Sequence, residues 1–279
     1  MKRLIIYTIA LLLPALLPLS AHCQTETALE PEYGGRLELS VDKKLARGLH
    51  LCLSEEIRLA DNFGTLNRLH TTAALNYKLN ANLRFGLGYA LINPYSASAK
   101  AFADSRHRLM VDMTGILPVG NWRLSLKERF QATYRTGDMN EYQNPRTALT
   151  LKSRIKVSYN GFAHVKPFVY GEVRHYLNAP VIKANYNPGT GQYLTDEGMA
   201  TGEAGWFLDG FNGCYANRLR GALGTEYRID KHNDIGLTIL ADRVSDKEVD
   251  ANASGTKLKA YTRETGFKCW LTASYKFSF

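Results

Sequence analysis

Cysteine is scarce and poorly placed for chemistry: four residues in 279, at positions 23, 52, 214 and 269, without the close spacing a zinc site needs. No metal centre and no cofactor are expected. Beyond residue 24 no segment repeats its apolar residues with a helical period, which argues against a helical bundle. The one long apolar run, Leu4 to Leu19, is broken by Pro14 and Pro18 and is short for a bilayer helix. Basic residues are not interleaved with aromatics as in a nucleic-acid module, so the formal charge of +9 does not point to nucleic acid. With 45% apolar and 22% charged residues the composition is not that of a disordered chain.

What is present begins with MKRLIIYTIALLLPALLPLSAHCQ. Lys2 and Arg3 precede the apolar run, and small residues precede Gln24, the pattern of a secretory signal peptide covering 1–23. The remaining 24–279 then form one exported domain. Cys23 also allows a lipid-modified N-terminus, although His22 before it is bulky for such a site. In an exported chain one disulfide is conceivable, with Cys214 and Cys269 as the pair, beside the alternative of isolated thiols.

From residue 36 the dominant period is two. Leu37, Leu39 and Val41 alternate with polar residues, as do Leu83, Phe85, Leu87, Tyr89 and Leu91. The chain's last residues, KCWLTASYKFSF, place Leu271, Ala273, Tyr275, Phe277 and Phe279 on one face. Eleven such segments can be counted. Short connections (80–82, 118–121, 159–164, 230–234) alternate with long ones (92–106, 136–146, 178–217, 245–265).

Period two does not say which face is inside. Segments of about 10 to 14 residues are long enough to cross a bilayer at a steep tilt. Short turns on one rim and long loops on the other are expected of an outer-membrane barrel, and aromatics near segment ends (Trp122, Tyr159, Tyr89, Tyr134) resemble its two girdles. The expectation is an all-β transmembrane antiparallel barrel, with short periplasmic turns, long extracellular loops and an aromatic last strand at the periplasmic rim. A soluble lipocalin-like barrel is the alternative. Single-chain bacterial barrels have even strand numbers, so the eleven segments predict about 12 strands, with 10 as second choice.

The stretches RLELSVDKKLARGLHLCLSEEIR, LRFGLGYALINPY, SRHRL and SLKERF resemble the outer-membrane β-barrel family called domain of unknown function 2490 (DUF2490), of Bacteroidetes type. The resemblance implies the same fold over the mature chain, a place in the outer membrane and no catalytic residue. A terminal aromatic strand also resembles the signal recognised by outer-membrane assembly machinery, so that machinery and the lipid bilayer are the expected partners.

Residues at i and i+2 share a strand face. Glu56 with Arg58, Glu172 with Arg174, and Glu226 with Arg228 are thus predicted on the lumen side. Arg84, Arg108, Arg123, Lys127, Arg129, Lys152 and Arg154 join them, and bases outnumber acids. Either the lumen is a basic passage drawing in small anions or acidic saccharides, or neighbouring strands form a ladder of ion pairs filling a narrow, structural barrel. Glu55 and Glu128 fall on the lipid-facing parity, and local bulges are predicted to turn them inward. An enzyme acting on lipid or peptide is the other class. His50 with Cys52, and the Asp104, Ser105, His107 group, are its only candidates, and neither matches a catalytic motif. GWFLDGF (205–211) is either a surface-ligand contact or packing for the barrel mouth.

Overall fold

The structure, a computed structural model, describes residues 25–184, 186–187, 192–193, 206–208, 210–251, 253 and 258–279. The predicted signal peptide lies outside them, as do the side chains of Trp206–Leu208, so neither that segment nor the GWFLDGF reading is addressed. Eleven long strands form one closed sheet: β1 Glu32–Ala46, β2 Leu49–Ala60, β3 Thr65–Lys78, β4 Leu83–Ser96, β5 Arg106–Val119, β6 Trp122–Arg135, β7 Thr147–Tyr159, β8 Val165–Ala179, β9 Gly213–Arg228, β10 Asn233–Ala251 and β11 Leu258–Ser278. Each pairs antiparallel with the next in sequence.

The ring closes between β1 and β11, and this seam is parallel, from Glu32 opposite Lys268 to Asp42 opposite Ser278. The expected number of twelve is corrected to eleven by this contact. A ring joined only by antiparallel pairs must contain an even number of strands, whereas one parallel pair permits an odd one. The described residues before Glu32, 25–31, do not supply a twelfth antiparallel strand. A short strand, Thr25–Ala28, instead continues the line of β1 along β11, parallel to Thr262 through Thr265. β1 therefore starts at the long-loop rim and β11 ends at the other.

The wall is turned inside out relative to a soluble barrel. Leu39 is 63% exposed and Leu223 65%, on the outside, whereas Asp242 is 0%, Glu172 4% and Arg220 7% exposed, on the inside. Apolar side chains outward and charged ones inward suit a wall facing hydrocarbon, and the soluble alternative is set aside on this ground. Strands of 12 to 21 residues exceed the 9 to 11 or so that a tilted crossing needs.

Turn chemistry fixes the short-turn rim. Arg47 and Gly48 join β1 to β2, and Gly48 has φ +78°, a conformation glycine adopts without steric cost. Between β9 and β10, Asp230 Oδ1 accepts from Asn233 Nδ2, from His232 N (2.7 Å) and from Asn233 N (2.9 Å). These donors, the Asn233 side chain first, hold its carboxyl below the usual carboxylate range. Trp122, Tyr159 and Phe162 pack at the same rim, tilted and edge-on, with centroids 4.9 and 5.1 Å apart. Phe277 and Phe279 lie there too, 5.6 Å apart.

The opposite rim differs from the expectation in one respect. Much of 245–265, read as a loop, is strand: β10 runs to Ala251 and β11 starts at Leu258, so the hairpin projects past the rim with Asp246 opposite Glu264 and Lys247 opposite Arg263. Its charged residues Asp246, Lys247 and Glu248 are consecutive and break the apolar alternation, so the strand is not visible in this segment alone. The loop between β6 and β7 reaches over to this hairpin, where Asn140 Nδ2 donates to the Ala251 carbonyl at 2.8 Å and Gln143 Nε2 to the same oxygen at 3.2 Å. It roofs part of the mouth.

Two further expectations are corrected. Glu55 stands opposite Leu39 and Thr71, and Glu128 opposite Met113 and Ser153, both in regular register and both on the outer wall. The only shift near Glu55 comes later, between Arg58 and Leu59. No bulge turns either inward; instead Ser153 Oγ donates to Glu128 Oε2 at 2.6 Å, giving the carboxylate a local partner. Cys52, Cys214 and Cys269 are all free thiols. Cys269 faces Ala241 of β10, whereas Cys214 lies on β9, which is not paired with β11.

Candidate functional site

By strand register the thirteen charged positions predicted for the lumen share the parity of the buried Asp112, Glu172, Arg220 and Asp242. Register decides which acid meets which base, and it produces two rows of opposite character. In one, Lys127, Arg154, Glu172, Arg220, Asp242, Lys268 and Glu32 follow each other across β6 to β11 and on to β1 as direct cross-strand neighbours. Their signs largely alternate. Arg154 donates from Nε and Nη2 to Glu172 Oε2 at 2.8 and 2.5 Å, Arg220 forms two parallel bonds to Asp242 at 2.6 and 2.8 Å, and Lys268 pairs with Glu32. The Arg220–Asp242 pair is strong because the fork meets both oxygens of the carboxylate.

The adjacent row, toward the long-loop rim, is Arg129, Lys152, Arg174 and Arg218, again direct neighbours on four strands. All four are positive. Asp112 holds one end, accepting two bonds from Arg129 at 2.6 Å each and one ion pair from Lys127 at 2.8 Å. Farther along, Arg174 Nε donates to Asn217 Oδ1 at 2.8 Å, and Arg218 reaches Asp242 only at 3.6 Å. Directly opposed like charges destabilise a sheet, so this row is held by the pairs around it.

Of the three i, i+2 couples, only Glu56 and Arg58 bond to each other. Glu226 pairs with Lys156 (2.8 Å) and Arg228 with Asp234 (3.6 Å), both across strands. Arg84 and Arg123 face the lumen near the short-turn rim without a carboxylate partner among the described residues.

Above the alternating row lies a chamber of about 480 Å³ at the long-loop end of the lumen. Nine arginines and two lysines contribute to its lining, against two acids, Asp246 and Glu248. Arg36, Arg68, Arg106, Arg108, Arg135 and Lys152 have no carboxylate oxygen within 4.0 Å among the described residues. Their contacts are neutral: Arg108 Nε donates to Thr133 Oγ1 at 2.9 Å, Arg68 Nε to Asn67 Oδ1 at 2.6 Å, and Arg36 lies over the Trp270 ring at 4.8 Å with Nε unsatisfied. Burial of unpaired charge is costly, and arginine does not escape by losing its proton.

Below the chamber an apolar layer fills the β8–β11 side of the lumen. Ala222, Leu240 and Trp270 form a buried apolar cluster against Tyr170, facing inward where the alternation predicts polar groups. Gly34 makes the cluster possible, since a Cβ there would collide with the Trp270 ring and the Leu59 carbonyl. Asp242 and Glu172, fully clamped, complete this layer.

Several of these residues were not singled out from sequence: Arg36, Arg68, Asp112, Arg218, Arg220 and Asp242. Their parity was available, because Arg218 and Arg220 flank outward Leu219, and Asp242 follows outward Ala241. Of the catalytic candidates, Ser105 and His107 turn to different partners, whereas His50 and Cys52 stay on one face with Asp42 directly opposite Cys52. Ser105 Oγ donates to Asn93 at 2.7 Å while His107 Nδ1 meets the Tyr89 hydroxyl at 2.7 Å. His50 pairs with Asp42 at 2.9 Å, and Asp42 also holds Lys276 at 2.8 Å. Among the described residues no group of His, Cys, Asp and Glu is arranged to hold a metal ion.

Comparison with known proteins gives a matching sequence family and distant solved structures. The porin NanC shares 12% identity over 78% of this chain and 85% of its own, with a TM-score of 0.40. The outer-membrane expressed OmpT of Vibrio cholerae shares 8% over 77% of this chain and 60% of its own, with a TM-score of 0.34. No curated protein sequence matches. The family described as "Protein of unknown function (DUF2490)" matches residues 37–253, most of the barrel, and the chain belongs to that family.

Proposed function

We propose that this is an outer-membrane barrel whose lumen binds anions, small ones or acidic saccharides, in the arginine-walled chamber at its long-loop end. The observation that carries this reading is the set of six basic side chains in one 480 Å³ chamber with no carboxylate oxygen within 4.0 Å among the described residues. Their excess positive charge favours an anion in the chamber, and low-dielectric walls concentrate the field that attracts it. The filled layer at Trp270, Leu240 and Asp242 favours binding over free passage.

Location is tested by membrane fractionation with a heat-modifiability gel; recovery in the soluble fraction overturns it. Binding is tested by calorimetric titration of inorganic phosphate into the detergent-solubilised barrel at low ionic strength. Saturable heat that falls when Arg68 and Arg108 are changed to Gln supports the reading, and absence of saturable heat defeats it. In a planar bilayer the filled layer predicts no unitary steps above background. Anion-selective steps would instead establish the small-channel alternative.

A further inference from the structure

The chamber's basic groups are not spread evenly, and their placement narrows the ligand. Three clusters stand around the mouth, each on neighbouring strands. Arg36, Arg58 and Arg68 are direct register neighbours on β1, β2 and β3. On β5 and β6, Arg106 opposes Arg135 with Arg108 two residues along. Lys152, Arg174 and Arg218 are direct neighbours on β7, β8 and β9. One monovalent ion balances one charge of one cluster and does not reach the other two.

The composition is equally selective. Arginine outnumbers lysine nine to two in the lining, and a guanidinium offers a planar fork that fits two oxygens of one phosphate, sulfate or carboxylate. Halide has no matching geometry. Two of the forks keep donors in reserve: Arg36 is 6% exposed and Arg218 lines the same chamber, and the Nε of each is buried without a partner. These are donors built into the wall and not engaged by it.

We infer that the chamber's ligand is a compact compound carrying two or more oxyanion groups, phosphate or carboxylate, which bridge at least two of the three arginine clusters. This rests on the proposed anion-binding reading and specifies its substrate class. A bridging ligand gains from both clusters at once, so the second group binds at high effective concentration. A single oxyanion gains from one.

The test compares chloride, orthophosphate, pyrophosphate and citrate on the detergent-solubilised wild-type barrel, by calorimetry at fixed pH and fixed ionic strength. Pyrophosphate or citrate binding at least tenfold more tightly than orthophosphate supports the inference, and the order of those two identifies phosphate or carboxylate as the preferred group. Orthophosphate binding as tightly as both overturns it while leaving anion binding intact. If none of the four binds, the broader reading falls first. Changing Arg108 to Lys, which keeps charge but removes the fork, is expected to reduce the pyrophosphate advantage several-fold. Arg228→Gln, at the short-turn end and outside the chamber, is expected to leave it unchanged, and an equal loss there also overturns the inference.

Discussion

Arg220 and Asp242 sit opposite each other on β9 and β10 and share two hydrogen bonds of 2.6 and 2.8 Å, with the carboxylate wholly out of contact with solvent. The pair is the centre of the alternating row, because Arg220 also reaches Glu172 and Asp242 also draws Arg218. Removing one partner leaves a buried charge uncompensated, which costs about 3–5 kcal/mol. Asp242→Ala is therefore expected to lower barrel stability by that amount, read as the urea midpoint of the heat-modifiable band. Replacing both residues by Leu is expected to cost much less, since no charge is stranded. Equal losses for the single and double variants would falsify the claim that the pair is held by mutual compensation.

Lys152 presents the reverse case. It has Arg129 and Arg174 as direct cross-strand neighbours and no carboxylate oxygen within 4.0 Å among the described residues, Glu172 acting on it from farther off. Lys152→Gln relieves like-charge repulsion worth about 1 kcal/mol or less. At low salt the variant is expected to be the more stable protein in urea titration, and the difference is expected to shrink as salt screens the row. A variant less stable than wild type at low salt would show that Lys152 is compensated in the empty barrel.

How much of this was legible in the sequence differs between parity and register. Alternation assigns a face residue by residue, so Glu172, Arg174 and the other predicted lumen charges land inside, and Leu37, Leu39 and Leu87 outside. Partners depend on how far each strand slides against the next, which no single segment encodes. Thus Glu172 bonds to Arg154 and Arg220 instead of Arg174. Parity also says nothing of size, and Leu240 and Trp270 fill one side of the lumen although the pattern predicted polar groups there. Strand number failed for a topological reason: evenness assumes a wholly antiparallel ring, and the β1–β11 seam is parallel.

Glu128 lies on the outer wall of β6, between Met113 and Ser153, with one carboxylate oxygen bonded to Ser153 Oγ and the other, Oε1, buried without a partner. A carboxylate facing hydrocarbon is unfavourable, though less so than a base at the midplane. Glu128→Met, which extends the character of Met113, is expected to stabilise the barrel in lipid vesicles by about 1 kcal/mol. Leu223→Glu, on the most exposed part of the same wall, is expected to do the opposite. Loss of stability in the Glu128 variant would mean that the side chain meets a polar partner in the membrane.

The seam itself is open to a covalent test. Leu37 on β1 and Ala273 on β11 are direct partners in the parallel pairing and share the outer face. Adjacent strands lie about 4.8 Å apart, within the Cα separation of about 4.4–6.8 Å that a disulfide bridges. In a background with Cys52, Cys214 and Cys269 changed to Ser, Leu37→Cys with Ala273→Cys is expected to cross-link on mild oxidation. The circularised barrel would then run faster on an unreduced denaturing gel. Shifting one partner by two residues, Leu39→Cys with Ala273→Cys, carries the separation past about 7 Å and is expected to stay reduced. An even-stranded ring closed by an antiparallel pair would bring β1 past β11 in the other direction. Residues nearer the start of one strand would then meet the end of the other, and the pattern of the two cysteine pairs decides between the closures.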